Sequence, residues 1–149
     1  MGHRQAEIRT ALQFTQAEIV FNPDYAQTEM LCSYQVGIRQ LVDKSCAGAL
    51  IALGDQPHIP VSIIQQVIEQ AQQMPDKLVI PSYTMRRGHP FYLPRQCWAD
   101  LLALGAEASL RTLLVRYTDE IRYVNVEDDA ILRDMDTPAD YASLKKVDR

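Results

Sequence analysis

Ala47-Gly48-Ala49-Leu50-Ile51-Ala52-Leu53 is an unbroken run of small and apolar residues that ends in Gly54-Asp55-Gln56-Pro57. A short run without polar interruption predicts a strand covered on both faces, as in a parallel sheet. Immediately downstream, residues 61–74 set Ile63, Ile64, Val67, Ile68 and Ala71 at helical spacing with glutamines on the opposite side, which predicts an amphipathic helix. Strand character resumes at residues 78–83, LVIPSY. Strand, helix and strand in that order form a crossover unit, so this stretch predicts an α/β domain with a mostly parallel sheet.

The same alternation continues in both directions. Residues 4–14 carry Ile8, Ala11 and Leu12 at helical spacing, residues 18–22 (EIVFN) predict a short strand, and residues 31–42 a second helix. After a turn beyond Tyr83, residues 91–93 predict a short strand and residues 95–104 and 108–117 two helices. Residues 121–126 (IRYVNV) alternate as a strand does, and a last helix is predicted from Pro138 to about Val147. No internal repeat, low-complexity tract or Gly/Ser linker interrupts the pattern, and a single domain over residues 1–149 is expected.

Composition narrows the function classes. Hydrophobic residues make up 47% and charged residues 23% of the 149 residues, as in an ordinary globular protein. A net charge of -4 gives no electrostatic reason to expect a long nucleic acid as partner, although a small anion needs only a local positive site. No apolar stretch approaches the ~20 residues of a membrane span, and the first residues lack the apolar core of a signal peptide. The three cysteines, Cys32, Cys46 and Cys97, are odd in number and widely spaced; they read as idle thiols in a reducing cytoplasm. His3, His58 and His89 are equally scattered, which argues against a zinc site.

Three short segments carry groups capable of chemistry. The first is Leu53-Gly54-Asp55-Gln56-Pro57, at the carboxyl end of the decisive strand, where open α/β sheets bind ligands. Gly54 permits a sharp exit there and Pro57 prevents further strand pairing. Asp55 is placed to hold a magnesium ion, which takes one or two carboxylates together with ligand phosphates, or simply to cap the loop before the next helix. The second is Arg86-Arg87-Gly88-His89-Pro90, a tight reversal. Its guanidinium groups, histidine and free backbone N–H groups match phosphate oxygens, and a solvated hairpin tip explains them as well. The third is Asp134-Met135-Asp136-Thr137-Pro138-Ala139-Asp140. Thr137 as N-cap, Pro138 at the first helical position and Asp140 three residues after the cap form an acidic capping box. Capping leaves Asp134 and Asp136 unexplained, and either is a candidate second carboxylate for the ion held by Asp55.

The order LGDQP, RRGHP, DMDTPADY resembles the C-terminal signatures of molybdenum cofactor cytidylyltransferases and their MobA-like relatives. Residues 2–8 (GHRQAEI) resemble the start of that family's second helix. Residues 21–25 (FNPDY) followed by Met30-Leu31-Cys32-Ser33 resemble its asparagine-containing loop and serine-bearing helix start, with Cys32 where relatives more often carry serine. The resemblance implies a three-layer αβα domain of the nucleotide-diphospho-sugar-transferase type. It implies transfer of CMP from CTP to molybdopterin-bound molybdenum, with release of pyrophosphate and with Mg2+ held by Asp55 and Asp136, Asp134 being the second choice. Gly54 and Gln56 would contact substrate, and Arg87, Gly88 and His89 would face the pterin phosphate. A guanylyltransferase for the same cofactor, a transferase for another phosphorylated small molecule, and a non-catalytic binding domain are the competing readings.

No Gly-rich phosphate loop appears in the sequence, and the family's basic, glycine-rich N-terminal signature has no counterpart here. The expectation is therefore an N-terminally truncated domain, inactive alone in nucleotidyl transfer. An exposed sheet edge that favours self-association would follow.

Overall fold

The computed structural model describes residues 4–26 and 30–144. The expected features at residues 2–3 and 145–147 lie outside them. In chain order the elements are α1 (Gln5–Ala11), α2 (Met30–Arg39), β1 (Gly48–Ile51), α3 (Val61–Gln73), β2 (Leu78–Tyr83), β3 (Arg86–Arg87), β4 (Phe91–Pro94), α4 (Trp98–Ala103), α5 (Leu110–Arg116), β5 (Ile121–Asn125) and α6 (Pro138–Leu144). Packing divides the chain into two compact units, one of Met1–Cys46 with Gln96–Thr118 and one of Ala47–Arg95 with Asp119–Arg149.

The whole sheet belongs to the second unit. β1 and β2 both pair antiparallel with β4, and β5 pairs parallel with β2. Thus β1, β2 and β5, the strands the sequence joined by crossovers, run in one direction, and the α/β class stands. The expectation of a mostly parallel sheet is corrected: three of its four ladders are antiparallel and the sheet is mixed. The cause is the segment after β2. Thr84 and Met85 have φ of 46° and 67°, the left-handed pair that a two-residue hairpin turn requires. The chain therefore reverses at once, and β4 enters between β2 and β1.

α3 covers one face of this sheet. Val67 and Ala71 pack against Val79, Tyr92 and Val124, all buried. Tyr92 fixes the far end by donating its hydroxyl to the Pro75 carbonyl at 3.0 Å. A second cluster, Ile59, Ile63 and Ile131, closes the end where β2 and β5 finish.

In the first unit, Leu31 and Ile38 of α2 are buried. Buried Gln35 donates to the carbonyls of Leu101 and Leu104, each at 2.9 Å, and so ties α2 to the end of α4. The strand expected at residues 18–22 does not form: the segment makes no ladder with any described strand. It is held by side chains instead. Asn22, 1% exposed, donates to Ser33 Oγ at 3.1 Å and accepts from the Asp24 amide, and Lys44 pairs with Glu18 at 2.9 Å. Tyr117 donates to Asp100 at 2.7 Å, and that bond is the main cause that pushes its phenol up to about 12.

The capping box at α6 is present as expected. The Asp140 amide donates to Thr137 Oγ1 at 3.2 Å, while the Thr137 amide and hydroxyl donate to the Asp140 carboxylate at 2.8 and 2.7 Å. These donors stabilise the ionised form, the Thr137 hydroxyl foremost, and hold Asp140 below the usual carboxylate value of 3.8. A depressed folded-state value adds stability above the unfolded pKa and loses it as pH falls through the folded one. An NMR titration of Asp140 should therefore give a midpoint below that of a free aspartate, and Thr137→Val should raise it towards the ordinary value.

Candidate functional site around Asp55

The loop after β1 is tied to the segment that precedes α6 by three hydrogen bonds. The Asp55 carbonyl accepts from the Met135 amide at 2.9 Å. Gln56 Nε2 donates to Asp134 Oδ1 at 2.8 Å. His58 Nε2 lies 3.1 Å from the Ala130 carbonyl, which can only accept, so Nε2 is the donor. Residues far apart in sequence are thus brought together at the carboxyl end of β1. Asp55 and Asp134 are exposed, whereas Gln56 is only 6% exposed.

Two buried acceptors in this loop are left over. Gln56 Oε1 and His58 Nδ1 have no hydrogen-bond partner among the described residues. A buried acceptor without a donor costs about 1–3 kcal/mol, so Gln56 Oε1 is an oxygen ready for a cation or an N–H donor.

The RRGHP turn approaches the same place through His89. This histidine lies within electrostatic reach of both Asp134 and Asp55. Burial lowers its pKa below the usual 6.5, and the two carboxylates oppose that shift without reversing it. Its ring also packs against Phe91, with centroids 5.3 Å apart and the planes tilted by 57°.

The other residues of the turn have local partners. Arg87 directs Nε (2.8 Å) and Nη2 at the Tyr123 hydroxyl, with its guanidinium 5.5 Å above that ring. Gly88 is buried, and a Cβ there would meet the Ile131 carbonyl oxygen at 2.4 Å. Its lack of a side chain is therefore a packing requirement. Gly54 differs from the sequence expectation: its φ is not positive and nothing lies within 4 Å of a Cβ built on it. Its openness leaves the space beside Asp55 unobstructed.

Of the two candidate second carboxylates, Asp134 accepts from Gln56 and lies within electrostatic reach of His89. The Asp136 backbone is engaged with Asp140 of the capping box, and its carboxylate forms no hydrogen bond or ion pair among the described residues. No group of three or more His, Cys, Asp or Glu among those residues is arranged to hold a metal ion. A pair of carboxylates with an amide oxygen requires the remaining ligands to come from phosphate or water, the arrangement typical of magnesium. Sequence reasoning missed the Gln56–Asp134 bond, the Arg87–Tyr123 contact and the pairing of His58 with Ala130, because each joins separate segments through side-chain geometry.

At the carboxyl end of β1 the mixed α/β sheet thus gathers exposed Asp55 and Asp134, the buried Gln56 amide and half-buried His89. The model of the MobA-like NTP transferase domain matches residues 2–121, and the chain belongs to that family. The molybdenum cofactor cytidylyltransferase of Escherichia coli (strain K12) is 24% identical over 128 residues. That match covers 86% of this chain and 62% of the relative's length. Among solved structures, Rv0371c of Mycobacterium tuberculosis superposes with a TM-score of 0.77 at 23% identity, over 97% of this chain and 73% of the other. Its manganese complex matches with a TM-score of 0.75 at 22% identity, over 98% and 75%. These structures establish the fold. Among the described residues, no helix is long and apolar enough to cross a membrane.

The two glycines of the site should respond differently to a methyl group. Gly88→Ala should destabilise the protein by about 1–3 kcal/mol through overpacking on Ile131. Gly54→Ala should stay within about 0.5 kcal/mol of the parent. Chemical denaturation of both variants measures the contrast.

Proposed function

We propose that this chain is part of a cytoplasmic nucleotidyltransferase that transfers CMP from CTP to a molybdenum-bearing pterin phosphate. An oxygen of the acceptor phosphate attacks the α-phosphorus of CTP, the bond from that phosphorus to the β-phosphate bridge breaks, and pyrophosphate leaves. The observation that supports this reading is the pair of bonds Met135 amide to Asp55 carbonyl and Gln56 to Asp134, with His89 in electrostatic reach of both carboxylates. The named function of the Escherichia coli relative supports the choice of nucleotide and acceptor.

The donor set fits a hard divalent cation. Asp55, Asp134 and Gln56 Oε1 offer oxygens only, the ligands that magnesium and manganese accept. Asp134, whose carboxylate accepts from Gln56, would be the partner of Asp55, with Asp136 as the alternative. When bound, such a cation supplies charge neutralisation for the phosphates. The chain's own residues position: Gln56 fixes the direction of Asp134, and Gly54 leaves the approach open. His89, whose pKa burial lowers, would lie beside the acceptor phosphate. The family's triphosphate grip is expected from a Gly-rich segment, and this chain supplies the acceptor and metal side.

In a polypeptide that carries this chain behind a Gly-rich triphosphate-binding segment of its family, pyrophosphate release from CTP is the direct assay. Asp55→Asn and Asp134→Asn should each lower turnover by about 10²–10³, the loss expected for an electrostatic group at a reacting phosphate. Thermal stability should be nearly unchanged. Parental turnover in either variant would remove that carboxylate from the reaction.

A further inference from the structure

The RRGHP turn contributes His89 to the site, yet its two guanidinium groups have no part in the reaction above. Arg87 does not simply extend into solvent. Ser82 of β2 pairs with Arg87 on one side and with Asn125 on the other, so β3 and β5 flank β2. The Arg87 side chain crosses β2 and ends on Tyr123 of β5. There its Nε (2.8 Å) and Nη2 donate to the hydroxyl, and the guanidinium carbon lies 5.5 Å from the ring centroid. Val124 packs on the α3 side of the sheet; side chains alternate along a strand, so Tyr123 and the guanidinium occupy the opposite face.

An exposed arginine ordinarily keeps most of its rotamers, and a ligand that uses it must order it. Here the hydroxyl on the far strand has already done so. Of the five guanidinium N–H groups, two are engaged with Tyr123 and three remain, both of those on Nη1 among them. Neither Arg86 nor Arg87 forms an ion pair among the described residues. Two uncompensated positive charges therefore stand in the turn that carries His89, although the chain as a whole has a net charge of -4.

We propose that Tyr123 is a positioning residue that acts through Arg87. It holds the guanidinium in one orientation across β2, so that the remaining N–H groups receive a phosphate group bound beside His89. Parallel N–H groups of a guanidinium match two phosphate oxygens, and the neighbouring Arg86 adds positive charge. Tyr123 itself touches only the arginine. The inference deepens the proposed function and rests on that reading for identifying the phosphate as the acceptor's. The ordering of Arg87 and its effect on phosphate binding need no transfer step.

The test titrates the whole nitrogen-15-labelled chain with inorganic phosphate and follows the Arg87 Nε–H and Gly88 amide signals by NMR. In the parent, the Nε–H should be protected from exchange by the Tyr123 hydroxyl, and both signals should shift saturably. Tyr123→Phe keeps the ring and removes the acceptor. It should abolish that protection and weaken phosphate binding by about three- to tenfold, the effect of leaving one long side chain to be ordered by the ligand. Arg87→Lys keeps the charge and loses the fork. In that background Tyr123→Phe should change the affinity no further, the mark of one residue acting through the other. An unprotected Arg87 signal in the parent, no saturable shift, parental affinity in Tyr123→Phe, or an equal loss from Tyr123→Phe in the Arg87→Lys background would overturn the inference. If nucleotidyl transfer fails while this coupling holds, the proposed reaction falls and the positioning role stands. If transfer proceeds without the coupling, the positioning role alone falls.

Discussion

The structure around the site depends on one clamp: the loop after β1 is held to the segment before α6 by Asp55–Met135, Gln56–Asp134 and His58–Ala130. Each bond joins positions that the chain separates by more than seventy residues, and one of the three is between backbone groups. Without it, Asp55 would be a lone carboxylate on a turn. The Gln56 amide is the most demanding member, because it is buried and spends its N–H on a carboxylate while its oxygen goes unmatched. Polar groups so placed are costly unless a partner arrives.

The packing beneath the clamp explains why the RRGHP turn ends where it does. Gly88 presses against Ile131 closely enough that no side chain fits, and Ile131 belongs to the cluster with Ile59 and Ile63 at the ends of the loop and of α3. One isoleucine therefore sets the depth of the turn, and His89 follows Gly88 into the neighbourhood of Asp55 and Asp134. Burial lowers the histidine's pKa although the charges of Asp55 and Asp134 act in the opposite direction.

Much of this fold was legible in the sequence because it rests on local patterns. The helical spacing of Ile63, Val67 and Ala71 and the strand at residues 78–83 are found where periodicity put them. The capping box at Thr137 and Asp140 was readable from residue types alone. Two local readings failed for physical reasons. Thr84 and Met85 carry no Gly or Asn to announce a left-handed turn, so the hairpin that makes the sheet mixed was hidden. Residues 18–22 have strand-like composition, yet a strand needs a partner, and here Asn22 supplies side-chain bonds instead. The motifs nominated Asp55 with Asp136 first and Asp134 second, together with Gly54, Gln56, Arg87, Gly88 and His89. That Asp134 rather than Asp136 meets Gln56 depends on the path of the backbone around Met135, which no periodicity encodes.

The central claim is that Asp55 and Asp134 act as one site because the clamp unites them. Manganese binding to the chain, followed by electron paramagnetic resonance in the presence of CTP, tests it through a double-mutant cycle. If the two carboxylates share one ion, Asp55→Asn, Asp134→Asn and the double variant should lose affinity to a similar extent, with strong non-additivity. Losses that add independently, or parental affinity after removal of either carboxylate, would contradict the account.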